Sequence, residues 1–116
     1  IGQAHLLSDF EPVLSKIAHI IGSRAAYRIL VSGHTDDRPI NTPSFPSNWE
    51  LSAARAIAVA KFLSGNGVDP ERIVVQGFGE YQPLVPNSST DNRQLNRRVE
   101  IRMVRQPPEA DSPEGN

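Results

Sequence analysis

Two short runs of β-branched residues, 27–32 (YRILVS) and 72–77 (RIVVQG), each follow a stretch long and apolar enough for a helix, and a third alternating run, 98–104 (RVEIRMV), closes the order. That succession restricts the fold sharply. Each strand must have its apolar face covered, and the helices between the strands are the nearest cover. The expected fold is an α/β (α+β) two-layer sandwich, with two main helices packed on one mixed sheet of three to four strands.

The first helix is expected over residues 6–21, where Phe10, Val13, Leu14, Ile17, Ile20 and Ile21 recur at spacings of three and four. Ser8 or Asp9 is the candidate cap, Pro12 is tolerable in a first turn, and Gly22 ends the helix. Ser47 precedes Glu50 by three, the capping-box spacing, so the second helix starts near Asn48 and runs to about Ser64. Its apolar face is expected to hold Leu51, Ala54, Ala58 and Phe62, widened by Val59 and Leu63. Between strand and helix, residues 38–46 carry Pro39, Pro43 and Pro46, a stiff irregular rim. A short helix is expected within the polar residues 87–96, and Val99, Ile101 and Met103 share one face of the last strand. The domain is expected to span residues 1–105. Residues 106–116 (QPPEADSPEGN), with three prolines and three acids, form an expected disordered tail.

The chemistry concentrates between Gly33 and Arg55. The carboxylates of Asp36 and Asp37 follow the first strand, and Arg55 lies in the second turn of the helix after the rim. A fixed carboxylate opposite a fixed guanidinium complements a zwitterion: the carboxylate accepts from an ammonium, and the guanidinium grips a carboxylate through paired N–H bonds. Free N–H groups at the helix N-terminus add to the attraction for an anion. The plain alternative is that Asp36 and Arg55 pair with each other. An arginine at the edge of a buried stripe, one turn after Leu51, requires a carboxylate partner from protein or ligand.

Composition removes other classes. A net charge of −1, with two lysines against ten arginines, gives no basic excess for nucleic acid. No run reaches the roughly 20 apolar residues of a membrane span. Zero cysteines exclude disulfides and thiolate metal sites. His34, Asp36 and Asp37 lack any metal-ligand spacing, so no metal and no cofactor is expected. Ser52 sits inside a helix without a nucleophile elbow, and the adjacent Asp36 and Asp37 cannot flank a glycosidic bond from two sides. A non-catalytic role is therefore expected, with a hydrolase as the weaker alternative.

Four motifs in one order, GHTDD, NWELSAARA, GFGEYQP and NRQLNRRVEI, resemble the peptidoglycan-binding domain shared by OmpA-type outer-membrane proteins, the Pal lipoprotein and the flagellar stator protein MotB. The FPSNWELSAARA stretch most resembles the MotB branch. The resemblance implies the same sandwich, usually with one further strand before the first helix, which is not recognisable in residues 1–7. It also implies a periplasmic domain of a Gram-negative envelope protein that binds the diaminopimelate of the stem peptide, with Asp36 on the ammonium and Arg55 on the carboxylate. Thr35, Asn48 and Arg97 match groove positions, and Asp37 and Leu51 complete the candidate set. Arg98 and Glu100 are expected to brace the strand, and a solvated charged face is the plain alternative for Arg93, Arg97 and Arg98 together. Attachment to a membrane through an upstream segment and a homodimer in the full-length complex are implied as well, although the domain itself shows no heptad seam. A plain outer-membrane or lipoprotein tether and a secretion-system anchor are the alternatives to a stator.

Overall fold

A computed structural model describes residues 3–106, with side chains from residue 10 onward. The elements are α1 (Gln3–Gly22), β1 (Tyr27–His34), α2 (Asn48–Gly65), a 3-10 turn (Pro70–Arg72), β2 (Ile73–Gly77), α3 (Thr90–Asn96) and β3 (Arg98–Arg105). The sheet is mixed, ordered β2-β1-β3, with β1 parallel to β2 and antiparallel to β3. Three strands are present among the described residues, and α1 is the first element among them.

The core lies between the sheet and α2, with α1 packed on α2. Ile29 and Val31 of β1, Ala56, Val59 and Leu63 of α2, and Leu14, Ala18 and Ile21 of α1 meet there with Val68. Val99 and Ile101 lie against this core from β3. Because α1 rests on another helix and not across the sheet, a narrow stripe suffices to cover it. Leu14, Ala18 and Ile21 form that stripe, while Phe10, Val13 and Ile20 of the expected face are more than half exposed.

The start of α1 also departs from expectation. The helix already runs through Ser8 and Asp9, so neither caps it, and Pro12 lies inside it. There it removes one backbone donor from the helical ladder. In α2 the cap is as read: Ser47 Oγ accepts from the Trp49 N–H at 3.2 Å, and its hydroxyl donates to the Glu50 carboxylate.

The buried face of α2 is rotated from the expected one. It comprises Asn48, Ser52, Ala56, Val59, Ala60 and Leu63, whereas Leu51, Ala54, Ala58 and Phe62 are only half-buried. Two glycines explain the rotation. Gly33 and Gly77 are register partners on β1 and β2 and lie directly beneath the first half of α2. A Cβ on Gly33 would fall 2.0 Å from the Ser52 carbonyl oxygen, and one on Gly77 would fall 2.9 Å from the Ala53 backbone. Helix backbone thus meets sheet backbone, which only small residues permit. Apolar periodicity favours the larger side chains and misses this contact.

At the opposite end of the sheet, Arg72 is buried and fastens the turn between α1 and β1. Its guanidinium donates to the carbonyls of Tyr27 at 2.8 Å, Ile21 at 3.1 Å and Arg24 at 2.5 Å. Gln106, placed by sequence in the tail, donates its N–H to Ala26 O at 2.7 Å. The rest of the expected tail, 107–116, lies outside the described residues.

Candidate functional site

The site forms where β1 runs out beneath the N-terminal half of α2. Thr35 and Asp36 follow His34, and both are buried. The Thr35 N–H donates to Gly79 O at 2.9 Å, tying the end of β1 to the loop after β2, and its hydroxyl donates to Asp36 O at 2.8 Å. Asp36 Oδ1 accepts from the Arg38 N–H at 3.0 Å, a local turn of the kind aspartate favours. Its Oδ2 accepts from Arg97 Nη1 at 2.5 Å.

Asn48, the first residue of α2, holds the parts together. Its amide donates to Asp36 O at 3.4 Å, Arg38 O at 3.0 Å and Glu80 Oε1 at 3.0 Å. The loop after β1 and the loop after β2 are thereby joined to the start of α2 through one buried side chain.

Seven residues on, nearly two full turns, Arg55 projects from the same side of α2. Its Nη1 donates to His34 O at 3.3 Å, and its buried Nε has no hydrogen-bond partner. Among the described residues no carboxylate lies within salt-bridge distance of it. Burial and, next, the Arg97 charge push its pKa below the ordinary arginine value, opposed by attraction to Asp36. The plain alternative, a direct Asp36–Arg55 pair, is thus not what forms: Asp36 is held by Arg97, and Arg55 is left with unused donors.

Of the residues expected at the site, Thr35, Asp36, Asn48, Arg55 and Arg97 come together. Leu51 lies one turn before Arg55, half-buried. Asp37 diverges, since its Oδ1 accepts from Arg93 Nε at 3.3 Å. Arg93 accordingly has a partner and is not simply solvated. Arg98 does brace the strand, its Nε donating to Glu100 Oε2 at 2.7 Å.

His34, adjacent in sequence, belongs to another environment. It is 3% exposed, stacks on Phe78 with centroids 5.2 Å apart, and has Nε2 3.9 Å from Glu100 Oε1. Desolvation first, and the Arg98 charge second, lower its pKa, so the ring is neutral at neutral pH. No group of three or more potential metal ligands occurs among the described residues.

Sequence reasoning missed Glu80, the acceptor for Asn48, and the aromatic pair of Trp49 and Tyr81, whose rings stack at 5.0 Å. The available signal was the glycine pair in GFGEYQP. Gly79, with φ of 62°, turns the chain so that Glu80 and Tyr81 meet the start of α2.

Comparison with known proteins bears on this arrangement. The pattern of the OmpA family matches residues 1–97. Motility protein B of Helicobacter pylori (strain J99) is 45% identical over 94 residues, 80% of this chain and 37% of that protein. The crystal structure of the periplasmic domain of Helicobacter pylori MotB has a TM-score of 0.78 at 34% identity, covering 92% of this chain and 69% of that one. The peptidoglycan-binding protein ArfA of Mycobacterium tuberculosis (strain H37Rv) is 35% identical over 100 residues, 86% of this chain and 29% of that protein. The cell wall anchor of the T6SS from Pseudomonas aeruginosa has a TM-score of 0.74 at 41% identity, covering 85% of this chain and 68% of that one. The chain spans less than half the length of these curated relatives. With its site assembled at the end of β1 under α2, and with helices packed on a mixed sheet as in the MotB periplasmic domain, the chain belongs to the OmpA family.

Proposed function

We propose that this domain binds uncrosslinked peptidoglycan without catalysis, through the side-chain zwitterion of meso-diaminopimelate in the stem peptide, and so anchors an envelope complex of flagellar-stator type to the wall from the periplasm. The observation that carries this reading is the half-buried Arg55, whose buried Nε has no hydrogen-bond partner and which has no carboxylate within salt-bridge distance among the described residues, beside the buried carboxylate of Asp36. Leaving buried donors unmade costs about 1–3 kcal/mol each, so an incoming anion gains what the folded chain forgoes.

Each charged group meets an opposite charge in the complex. Asp36, Arg55 and Arg97 sum to one net positive charge in the free site. A ligand carboxylate bridging Arg55 and Arg97, with the ligand ammonium on Asp36, satisfies all three groups through charge-assisted bonds. Arg97, the more exposed arginine, is the one that moves from Asp36 towards the ligand. Thr35 and Asn48 fix the Asp36 segment, so that half of the clamp is preorganised while Arg97 rearranges. Attachment of the whole protein to a membrane belongs to this proposal, with the anchor outside the described residues, because no helix among them is long and apolar enough to cross one.

The 41% identity to a T6SS wall anchor favours a second assignment for the complex that is anchored, with the same ligand chemistry. Calorimetry decides the ligand. A diaminopimelate tripeptide should bind saturably, and the matching lysine tripeptide, which lacks the side-chain carboxylate, should bind at least about tenfold more weakly. No heat at millimolar diaminopimelate peptide, or equal affinity for both, overturns the reading. Release of soluble muropeptides from purified wall would assign a hydrolase instead.

A further inference from the structure

The peptide clamp leaves one built feature beside it unused. Trp49, the second residue of α2, and Tyr81, in the loop after β2, stack with an interplanar angle of 28° and remain 51% and 59% exposed. A Cβ on Gly79 would lie 3.5 Å from the Tyr81 ring and 3.6 Å from the Trp49 ring, so both rings border the Gly79 turn on the same side. That glycine also donates its N–H to Ser52 Oγ at 2.9 Å and accepts from Thr35 at the groove. Asn48 and Glu80, the immediate neighbours of Trp49 and Tyr81, are hydrogen-bonded to each other. The rings are therefore fastened to the same frame as Asp36, at the flank of the groove.

We propose that Trp49 and Tyr81 form a subsite for a pyranose ring of the glycan strand that carries the stem peptide. The inference rests on the peptide-binding reading above and extends it from the peptide to the sugar. Aromatic faces carry negative quadrupole density, whereas the axial C–H bonds of a pyranose face carry partial positive charge, so the two surfaces attract while the sugar hydroxyls stay in water. The Glu80 carboxylate, next to Tyr81, is an acceptor at the rim for a hydroxyl or an acetamido N–H.

Reach is compatible. Diaminopimelate is the third residue from the sugar, and an extended chain spans at most about 10 Å over three residues. Trp49 precedes Arg55 by six residues, about 9 Å along the helix axis. A peptide running from Arg55 towards the start of α2 delivers its sugar to the rings.

Trp49 is the single tryptophan of the chain, so its emission reports on this subsite alone. The test compares a free diaminopimelate tripeptide, the same tripeptide on N-acetylmuramic acid, and peptide-free glycan strands. The muramyl tripeptide should bind about tenfold more tightly than the free peptide, within the range aromatic stacking supplies. It should also shift Trp49 emission, which the free peptide leaves unchanged. By calorimetry, Trp49→Ala and Tyr81→Ala should each remove the advantage of the muramyl peptide while leaving affinity for the free peptide at its original value. Equal affinity for the two peptides, or an advantage that survives both substitutions, overturns the sugar subsite and leaves the clamp standing. If neither peptide binds, the clamp reading fails, and the subsite then stands or falls with the emission shift on peptide-free glycan strands. A wild-type chain that ignores every sugar but loses a protein partner on Trp49→Ala would reassign the rings to protein docking.

Discussion

Two arginines, Arg72 buried and Arg55 half-buried, stand at opposite ends of β1 and have opposite fates. Arg72 sits at the beginning of the strand, where three carbonyls accept from it. Arg55 sits at the far end with one 3.3 Å bond and an unpartnered Nε. Neither has a carboxylate within salt-bridge distance among the described residues. The same side chain, taken from water almost wholly in one place and partly in the other, is saturated in the first and keeps a buried, unpartnered Nε in the second. Saturation marks a structural fastener, whereas the unused donor capacity of Arg55 is what its proposed role as a receptor rests on.

Substitutions at the two positions should separate these roles. Arg72→Ala strands three carbonyls of the turn before β1 and should cost about 3 kcal/mol or more in urea unfolding, while the protein that remains folded keeps its ligand affinity. Arg55→Ala should do the reverse, lowering affinity for a diaminopimelate peptide about 100-fold, or about 2.7 kcal/mol. Its stability should change by less than about 1 kcal/mol, since it gives up one long hydrogen bond. A large stability loss in the second variant would erase the distinction between the two arginines. Arg55→Lys sharpens it: the charge stays but the fork is lost, so calorimetry should show about a tenfold drop with folding intact.

The smallest effect concerns His34, whose backbone carbonyl serves Arg55 while its ring is buried on Phe78. Its folded pKa is lowered, so below the ordinary value of 6.5 the unfolded chain binds a proton that the folded chain resists. Stability contributed by the neutral ring is thus complete above 6.5 and declines as the pH falls towards the folded pKa. Glu100, whose carboxylate Arg98 holds below the usual range, adds a further decline at lower pH. Unfolding midpoints should fall between pH 7 and 5, and His34→Gln should flatten that slope. An unchanged slope in the variant would remove His34 from the account.

The contrast between the arginines was only half legible in the sequence. Asp36, Arg55, Asn48 and Arg97 stood out through the resemblance of their motifs, and Ser47 with Glu50 placed the start of α2 correctly from spacing alone. The partner of Asp36 was not legible, because Arg97 is 61 residues away and arrives only when β3 pairs antiparallel with β1. Arg72 looked like the first residue of a strand, since nothing local announces that its three acceptors lie 45 to 51 residues earlier. The apolar faces of both helices were only partly legible, with Leu14, Ile21, Val59 and Leu63 buried as expected and the others missed for a related reason. Periodicity records which residues prefer to be buried, whereas the partner surface decides how wide and how close the contact is. Phe10, Val13 and Ile20 exceed what α1 needs against another helix, and Leu51 and Phe62 yield the centre of α2 to Ser52 and Ala56, which can approach the sheet.

The absence of side chains at Gly33 and Gly77 makes the interval between Asp36 and Arg55 a property of main chain against main chain. An α-helix behaves as a stiff rod over so few turns, so a single methyl group at Gly33 would act as a wedge beneath it. Arg55, Asn48 and Trp49 would be carried outwards together while Asp36 stayed with its strand. The width of the proposed clamp can thus be set from a position that carries no charge and lies outside it.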